Sequence, residues 1–247
     1  MSVVRTLRDA AAVVPDGALV TFGGFQLNRA PMALLRELVR QGRRGLRAVT
    51  LPNPLALDLL VGAGVVEEAT FGFCGFEYEA GFVTAPNVRR AVEARAIRWV
   101  ERDVYEIVQG LRAAAMGLSS LPAPGGEGSD YRGVNGTPAQ VDPVSGEEVL
   151  VAEAIRPDVA LLHAPVADRV GNLRIDDRYA DDLLACASRR VVATAERIVD
   201  RLESPTVGAH LVEVVAEAPG GALPTSCRGH YGYGATELRE YVTRAAE

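Results

Sequence analysis

Short apolar runs alternate along the chain with stretches whose apolar positions recur at helical spacing. The run 18–22 (ALVTF) reads as a buried strand, and 31–41 (PMALLRELVRQ) as a helix opened by proline in its first turn. Residues 46–51 (LRAVTL) form the next expected strand, and 55–64 (LALDLLVGAG) a helix closing on glycine. Strand-like 69–76 and helical 87–94 follow, then the strand 96–101 (AIRWVE) and a helix over 105–117. From 119 to 148 Pro, Gly, Ser, Asp and Asn dominate, and a long loop is expected. Regular patterning resumes with the strand 158–164, the helix 179–189, the strands 190–196 and 210–218, and a closing helix at ELREYVTRAAE. The N-terminal MSVVRTLRDAAAVV has the spacing of an amphipathic helix.

Strands alternating with crossover helices predict an α/β fold, an open, mainly parallel sheet flanked by helices. Neither an internal repeat nor a clear linker interrupts the pattern, so one domain over 1–247 is expected. Ligands of such sheets sit outside the carboxyl ends of the strands. That rule singles out the post-strand segments Gly23–Arg29, Gly75–Glu79 and Glu101–Glu106.

Composition narrows the function classes. A net charge of −6, mixed in sign along the chain, speaks against nucleic acid or an anionic membrane as partner. No apolar stretch approaches the roughly 20 residues that span a bilayer. The N-terminus also lacks a signal-peptide core, and a cytoplasmic protein is expected. Cys74, Cys186 and Cys227 lie far apart with no C-x-x-C, which argues against a disulfide scaffold or zinc knuckle. His163, His210 and His230 are scattered, so no metal site is expected. Neither a Walker sequence, G-x-G-x-x-G nor G-x-S-x-G occurs.

The segment TFGGFQLNRAP carries more. Gly23 and Gly24 permit close backbone approach, so their N–H groups can face a ligand oxygen, and the helix starting near Pro31 adds its positive end. Asn28 and Arg29 can then hold a carboxylate or a thioester carbonyl. The plainer reading is a tight strand-to-helix turn with a solvated arginine.

This segment resembles the signature of the first (α) subunit of family I coenzyme A transferases. Asp16, Gly17, Val20, Phe22, Gly23, Gly24, Phe25 and Pro31 fit that signature. Thr21 and Arg29 depart from it, Arg29 standing where the signature has glycine, as in the glutaconate CoA-transferase-like branch. The stretches 111–130, 156–172 and 217–234 are similar to later blocks of the family. The resemblance implies a CoA-transferase or sugar-isomerase-like fold. It also implies a β subunit that supplies a nucleophilic glutamate, since no Ser-Glu-Asn-Gly motif occurs here. The substrates implied are an acyl-CoA and a carboxylic acid, with coenzyme A thioester as substrate and no permanently bound cofactor. Gly128, Ser129 and Asp130 match the family's Gly-Ser/Thr-Asp loop and are expected to contact substrate; read alone, they are a common turn.

Glu101 ends the strand AIRWVE where such folds build sites, and by the resemblance it aligns with a glutamate of the glutaconate-like branch. A general base or nucleophile is one reading, and a cap or ion pair the other. Glu106 lies in a first helical turn, where its charge is favoured structurally. Three functions are compatible with these residues. The first is the α subunit of a heteromeric CoA-transferase. The second is a subunit of a CoA-thioester ring-opening hydrolase of steroid catabolism using Glu101, and the third a non-catalytic ligand-binding module. A subunit of an obligate pair should expose an apolar patch larger than a monomer's few hundred Å².

Overall fold

The computed structural model describes residues 3–79, 81–123, 125, 130, 131, 133 and 136–246. Its first half follows the predicted alternation: β1 (Val4–Arg5), α1 (Leu7–Ala12), β2 (Leu19–Phe22), α2 (Met32–Arg40), β3 (Leu46–Val49), α3 (Pro54–Gly62) and β4 (Val66–Phe71). An antiparallel hairpin of β5 (Gly75–Tyr78) and β6 (Gly81–Thr84) leads to α4 (Pro86–Glu93), β7 (Arg98–Glu101) and α5 (Val104–Ala115). Then come β8 (Ser120–Pro122), β9 (Ala139–Val141) and β10 (Glu148–Glu153). The last part comprises β11 (Val159–Asp168), β12 (Leu173–Arg174), α6 (Asp181–Ala187), β13 (Arg190–Val199), β14 (Val212–Glu217) and α7 (Ala235–Ala246).

The main sheet runs β1-β14-β13-β11-β2-β3-β4-β7, parallel at every pairing along this path, with β12 added antiparallel to β11. Burial on both faces explains why its central strands read as continuous apolar runs. Along β11, Val159 and Leu161 pack on one side with α2, α3 and α4. Ala160, Leu162 and Ala164 pack on the other with α5 and α6. Proline sets the start of α3 and of α4, and the Asp103 carboxylate accepts the Tyr105 N–H to cap α5. Among the described residues no helix is long and apolar enough to cross a membrane.

Two expectations change. The N-terminal stretch is not one helix: Val4 pairs with Val215 in the sheet, and α1 starts only after Thr6, whose hydroxyl accepts the Asp9 N–H. The expected loop after α5 contains strands, β8-β10-β9 in antiparallel order, packed against α5. Gly110 makes that packing possible, because a Cβ there would lie 2.7 Å from the Glu153 carbonyl oxygen. The Ile155 N–H donates to the Gly110 carbonyl at the same crossing.

Candidate active site

The strand order reverses direction between β2 and β11. From β2 the chain proceeds to β3, β4 and β7, and from β11 to β13 and β14. The crevice beyond the carboxyl ends of β2 and β11 is where sheets of this kind take ligands. Here the protein fills it with its own side chains.

Arg29 is fully buried with φ 58°. Its Nε donates to Asp177 at 3.1 Å, one terminal nitrogen to Asp181 and to the His163 carbonyl, and the other to Asp181 at 2.8 Å. Burial opposes its charge, yet the hydrogen bond and charge of Asp181, then of Asp177, raise its pKa above the ordinary value. Asp177 also loses solvation, but its hydrogen bond from Asn28 and the Arg29 charge hold its carboxyl below the usual range. The Asn28 amide spans Asp177 and Ser226, donating to the carboxylate and accepting from the hydroxyl.

The glycines serve the same cluster. Gly23 N–H donates to the Leu161 carbonyl and Gly24 N–H to Asp181 Oδ1, so neither faces a ligand. A Cβ on Gly23 would lie 2.4 Å from Asp181 Oδ1, and Gly24 holds φ +84° against the Asn28 carbonyl. Phe25 packs its ring on Tyr179, 4.3 Å between centroids. The donors of the residues expected to hold a carboxylate are engaged within the chain: Gly24, Asn28 and Arg29 donate to Asp177 or Asp181, and Gly23 to the Leu161 carbonyl. Of the plainer reading the strand-to-helix turn holds, but the arginine is buried and doubly paired rather than solvated.

A second buried network adjoins it. His163 on β11 meets Thr194 and Glu196 on β13, at 2.8 Å from each. Burial lowers the His163 pKa, and the neighbouring carboxylate assigns its proton to Nε2, with Nδ1 accepting from the Thr194 hydroxyl. Glu196 loses solvation, but hydrogen bonds from His163, Tyr231 and the Gly220 N–H hold its carboxyl at about 2. Ligand-type atoms of His163, Glu196 and Cys227 lie within 4.8 Å of one another, a juxtaposition invisible in their sequence spacing. The Cys227 thiol is pushed up to about 12, chiefly by burial, so it stays protonated within this hydrogen-bonded knot.

Glu101 stands in a different setting. It ends the edge strand β7, in register with Phe71 of β4. Three strand spacings separate β7 from β2, about 14 Å across the sheet. Glu101 and Arg29 are therefore not brought together. Glu101 is half-buried and, among the described residues, its carboxylate has no hydrogen-bond or ion-pair partner. It lines a cavity of about 260 Å³ with Gly72, Arg102, Asp103, Tyr105, Glu106 and Tyr131.

Glu106 inside that cavity is committed: it pairs with Arg102 at 3.2 Å and accepts from Tyr131. Tyr131 also accepts the Asp103 N–H, and burial with its bond to Glu106 pushes its hydroxyl up to about 12. Gly128 and Ser129 lie outside the described residues. Asp130 is exposed, next to the cavity-lining Tyr131. Sequence reasoning missed Tyr131, Asp177 and Asp181, since nothing in local spacing marks residues recruited across the fold.

Comparison with known proteins gives this geometry its context. The chain is 34% identical over 95% of its length to an uncharacterized protein of Archaeoglobus fulgidus, of which it spans about half, 54%. It is 32% identical to the A subunit of the 3-oxoadipate CoA-transferase of Pseudomonas knackmussii, covering 94% of this chain and 84% of that one. It is 33% identical to the cholesterol ring-cleaving hydrolase IpdA subunit of Rhodococcus jostii, covering 97% and 86%.

Among solved structures, a variant of the decarboxylase AibA/AibB superposes with TM-score 0.94 at 42% identity, over 99% of this chain and 94% of that chain. Glutaconate coenzyme A-transferase from Acidaminococcus fermentans superposes with TM-score 0.92 at 26% identity, over 100% and 85%. The model of the coenzyme A transferase family matches residues 4–217. With its parallel sheet, its Gly-Gly-Phe turn and this match over most of its length, the chain belongs to the coenzyme A transferase family.

Proposed function

We propose that the chain is the A-type subunit of a two-chain enzyme that moves CoA between an acyl-CoA and a carboxylic acid. The observation that carries this is the incomplete site: an open cavity with one carboxylate, Glu101, that has no partner among the described residues, beside a carboxylate already paired, Glu106. A B-type partner supplies the nucleophilic glutamate. That glutamate attacks the thioester carbonyl and CoA thiolate leaves, forming a mixed anhydride. The thiolate then attacks the glutamyl carbonyl of this anhydride, releasing the first acid and leaving glutamyl-CoA. The second acid attacks this thioester and the sequence runs in reverse. Coenzyme A thioester is thus a substrate, not a resident cofactor. Glu101 positions or deprotonates a group on the substrate as this proceeds.

A second reading follows from the unpartnered Glu101 and the likeness to a ring-cleaving hydrolase subunit. Glu101 would then act as base for attack by water on the acyl group. Co-expression with the neighbouring reading frame tests both. CoA exchange between acyl-CoA and free acids, with a borohydride- or hydroxylamine-trapped glutamyl thioester on the partner, supports transfer. Water addition without exchange or adduct, abolished by Glu101→Gln, supports hydrolysis. Release of carbon dioxide without either would replace both by decarboxylation, the activity named for AibA/AibB.

A further inference from the structure

We infer that an apolar groove beside Glu101 receives the acyl end of the thioester, so that this chain selects acyl groups larger and more apolar than acetyl. The inference deepens the function proposed above and rests on it for the role of Glu101. Side chains alternate along a strand, so Trp99 and Glu101 share one face of β7, about 7 Å apart along it. Phe71 stacks against Trp99 with ring centroids 5.5 Å apart. The indole N–H donates to the Phe71 carbonyl, which satisfies its polar edge and leaves the ring free for apolar contact.

Phe73 and Phe82, centroids 6.0 Å apart, form the facing wall. Phe82 is seated on Gly75, where an added Cβ would lie 2.6 Å from the ring. Val88 and Val92 of α4 complete a groove of about 350 Å³. Gly72 lines both this groove and the Glu101 cavity, and it has no side chain to partition them.

Phe73, Phe82 and Trp99 are 40%, 62% and 42% exposed, which is large for three neighbouring aromatic rings. A ligand is favoured over a protein surface because the groove adjoins, through Gly72, the cavity whose Glu101 carboxylate has no partner among the described residues. The volume also falls in the range of about 300–1,000 Å³ typical of small-molecule sites. An acyl thioester has that same polarity, a reactive carbonyl at one end and an apolar tail at the other. The one ion pair on the lining, Arg89 with Glu93, is largely exposed and joins neighbouring turns of α4.

Trp99 is the single tryptophan of the chain and reports occupancy of the groove without turnover. The full chain, alone and with its partner, is titrated with acetyl-, hexanoyl- and phenylacetyl-CoA while Trp99 emission is followed. A Trp99→Phe sample removes the partner's contribution. The half-saturating concentration should be at least tenfold lower for hexanoyl- and phenylacetyl-CoA than for acetyl-CoA. Phe82→Ser should shrink that preference to about threefold or less. Phe73→Ser is the second variant should the first fail to fold. Equal half-saturation for all three ligands overturns the inference. So does an emission change produced by the partner alone and then unresponsive to acyl-CoA, which would make the groove a subunit contact. Glu101-dependent turnover with flat Trp99 titrations removes the groove and leaves the proposed function. A retained acyl preference without Glu101-dependent turnover does the reverse.

Discussion

The crevice between β2 and β11 and the cavity at the end of β7 occupy equivalent places, each beyond the carboxyl end of a parallel strand. One is saturated: every donor of the Arg29 guanidinium described above is taken by Asp177, Asp181 or a carbonyl. The other keeps Glu101 at an opening, without a partner among the described residues. Buried charge must be paired, so a site enclosed by its own chain becomes architecture. A sheet edge leaves a carboxylate solvated and available for chemistry. The crevice braces, and the edge presents.

Substitutions can break that comparison. Glu101→Gln in the assembled enzyme should lower turnover by about a hundredfold or more, the scale of general acid–base catalysis. Its melting temperature should stay within about 2 °C, because its carboxylate makes no bond among the described residues. Asp181→Asn should behave oppositely. It leaves the buried Arg29 with one carboxylate, the part-buried Asp177, and urea denaturation should show a loss of about 3–5 kcal/mol. If Asp181→Asn folds normally while substrate KM rises, the crevice is a binding site after all.

Gly23→Ala forces a methyl group against Asp181 and Leu162 and should cost about 1–3 kcal/mol on the same scale. Acid should act on the second buried network. His163 and Glu196 both have folded pKa values below their ordinary 6.5 and 4.5, so the unfolded chain binds more protons. Stability from both is complete above about 6.5 and declines as pH falls, His163 first, then Glu196 as pH drops toward about 2. Urea midpoints measured against pH should follow this course, and Glu196→Gln should flatten its lower limb, leaving the part that comes from the paired Asp177. The smallest effect belongs to Tyr131→Phe, which deletes a hydroxyl from a part-buried bond to Glu106 and should cost about 1 kcal/mol.

The relation between the two regions also shows what a linear chain conveys. Main-sheet strands with apolar runs were readable because burial on both faces demands them, as in ALVTF and DVALLHA. The helices after them were readable from proline starts and apolar spacing. The hairpin β5–β6 and the small sheet β8–β10–β9 were less so, since β5, β6, β8 and β9 have only three or four residues each, and β10 lies at the end of the Gly- and Pro-rich stretch. Glu101 could be singled out because its position, the last residue of a strand, is a local property.

The partners of Arg29 could not. Asp177 and Asp181 lie about 150 residues away, and sequence spacing carries no information on which carboxylate meets a guanidinium. By itself the sequence determined the alternation of strands and helices, the family, and the strand ends at which chemistry was to be sought. Only the tertiary structure decided that the Gly-Gly-Phe turn packs against its own buried ion pairs and that the free carboxylate stands at the edge. The physical reason is the range of the forces: burial imprints a local periodicity, whereas charge pairing and cavities arise between residues that only the folded chain brings together.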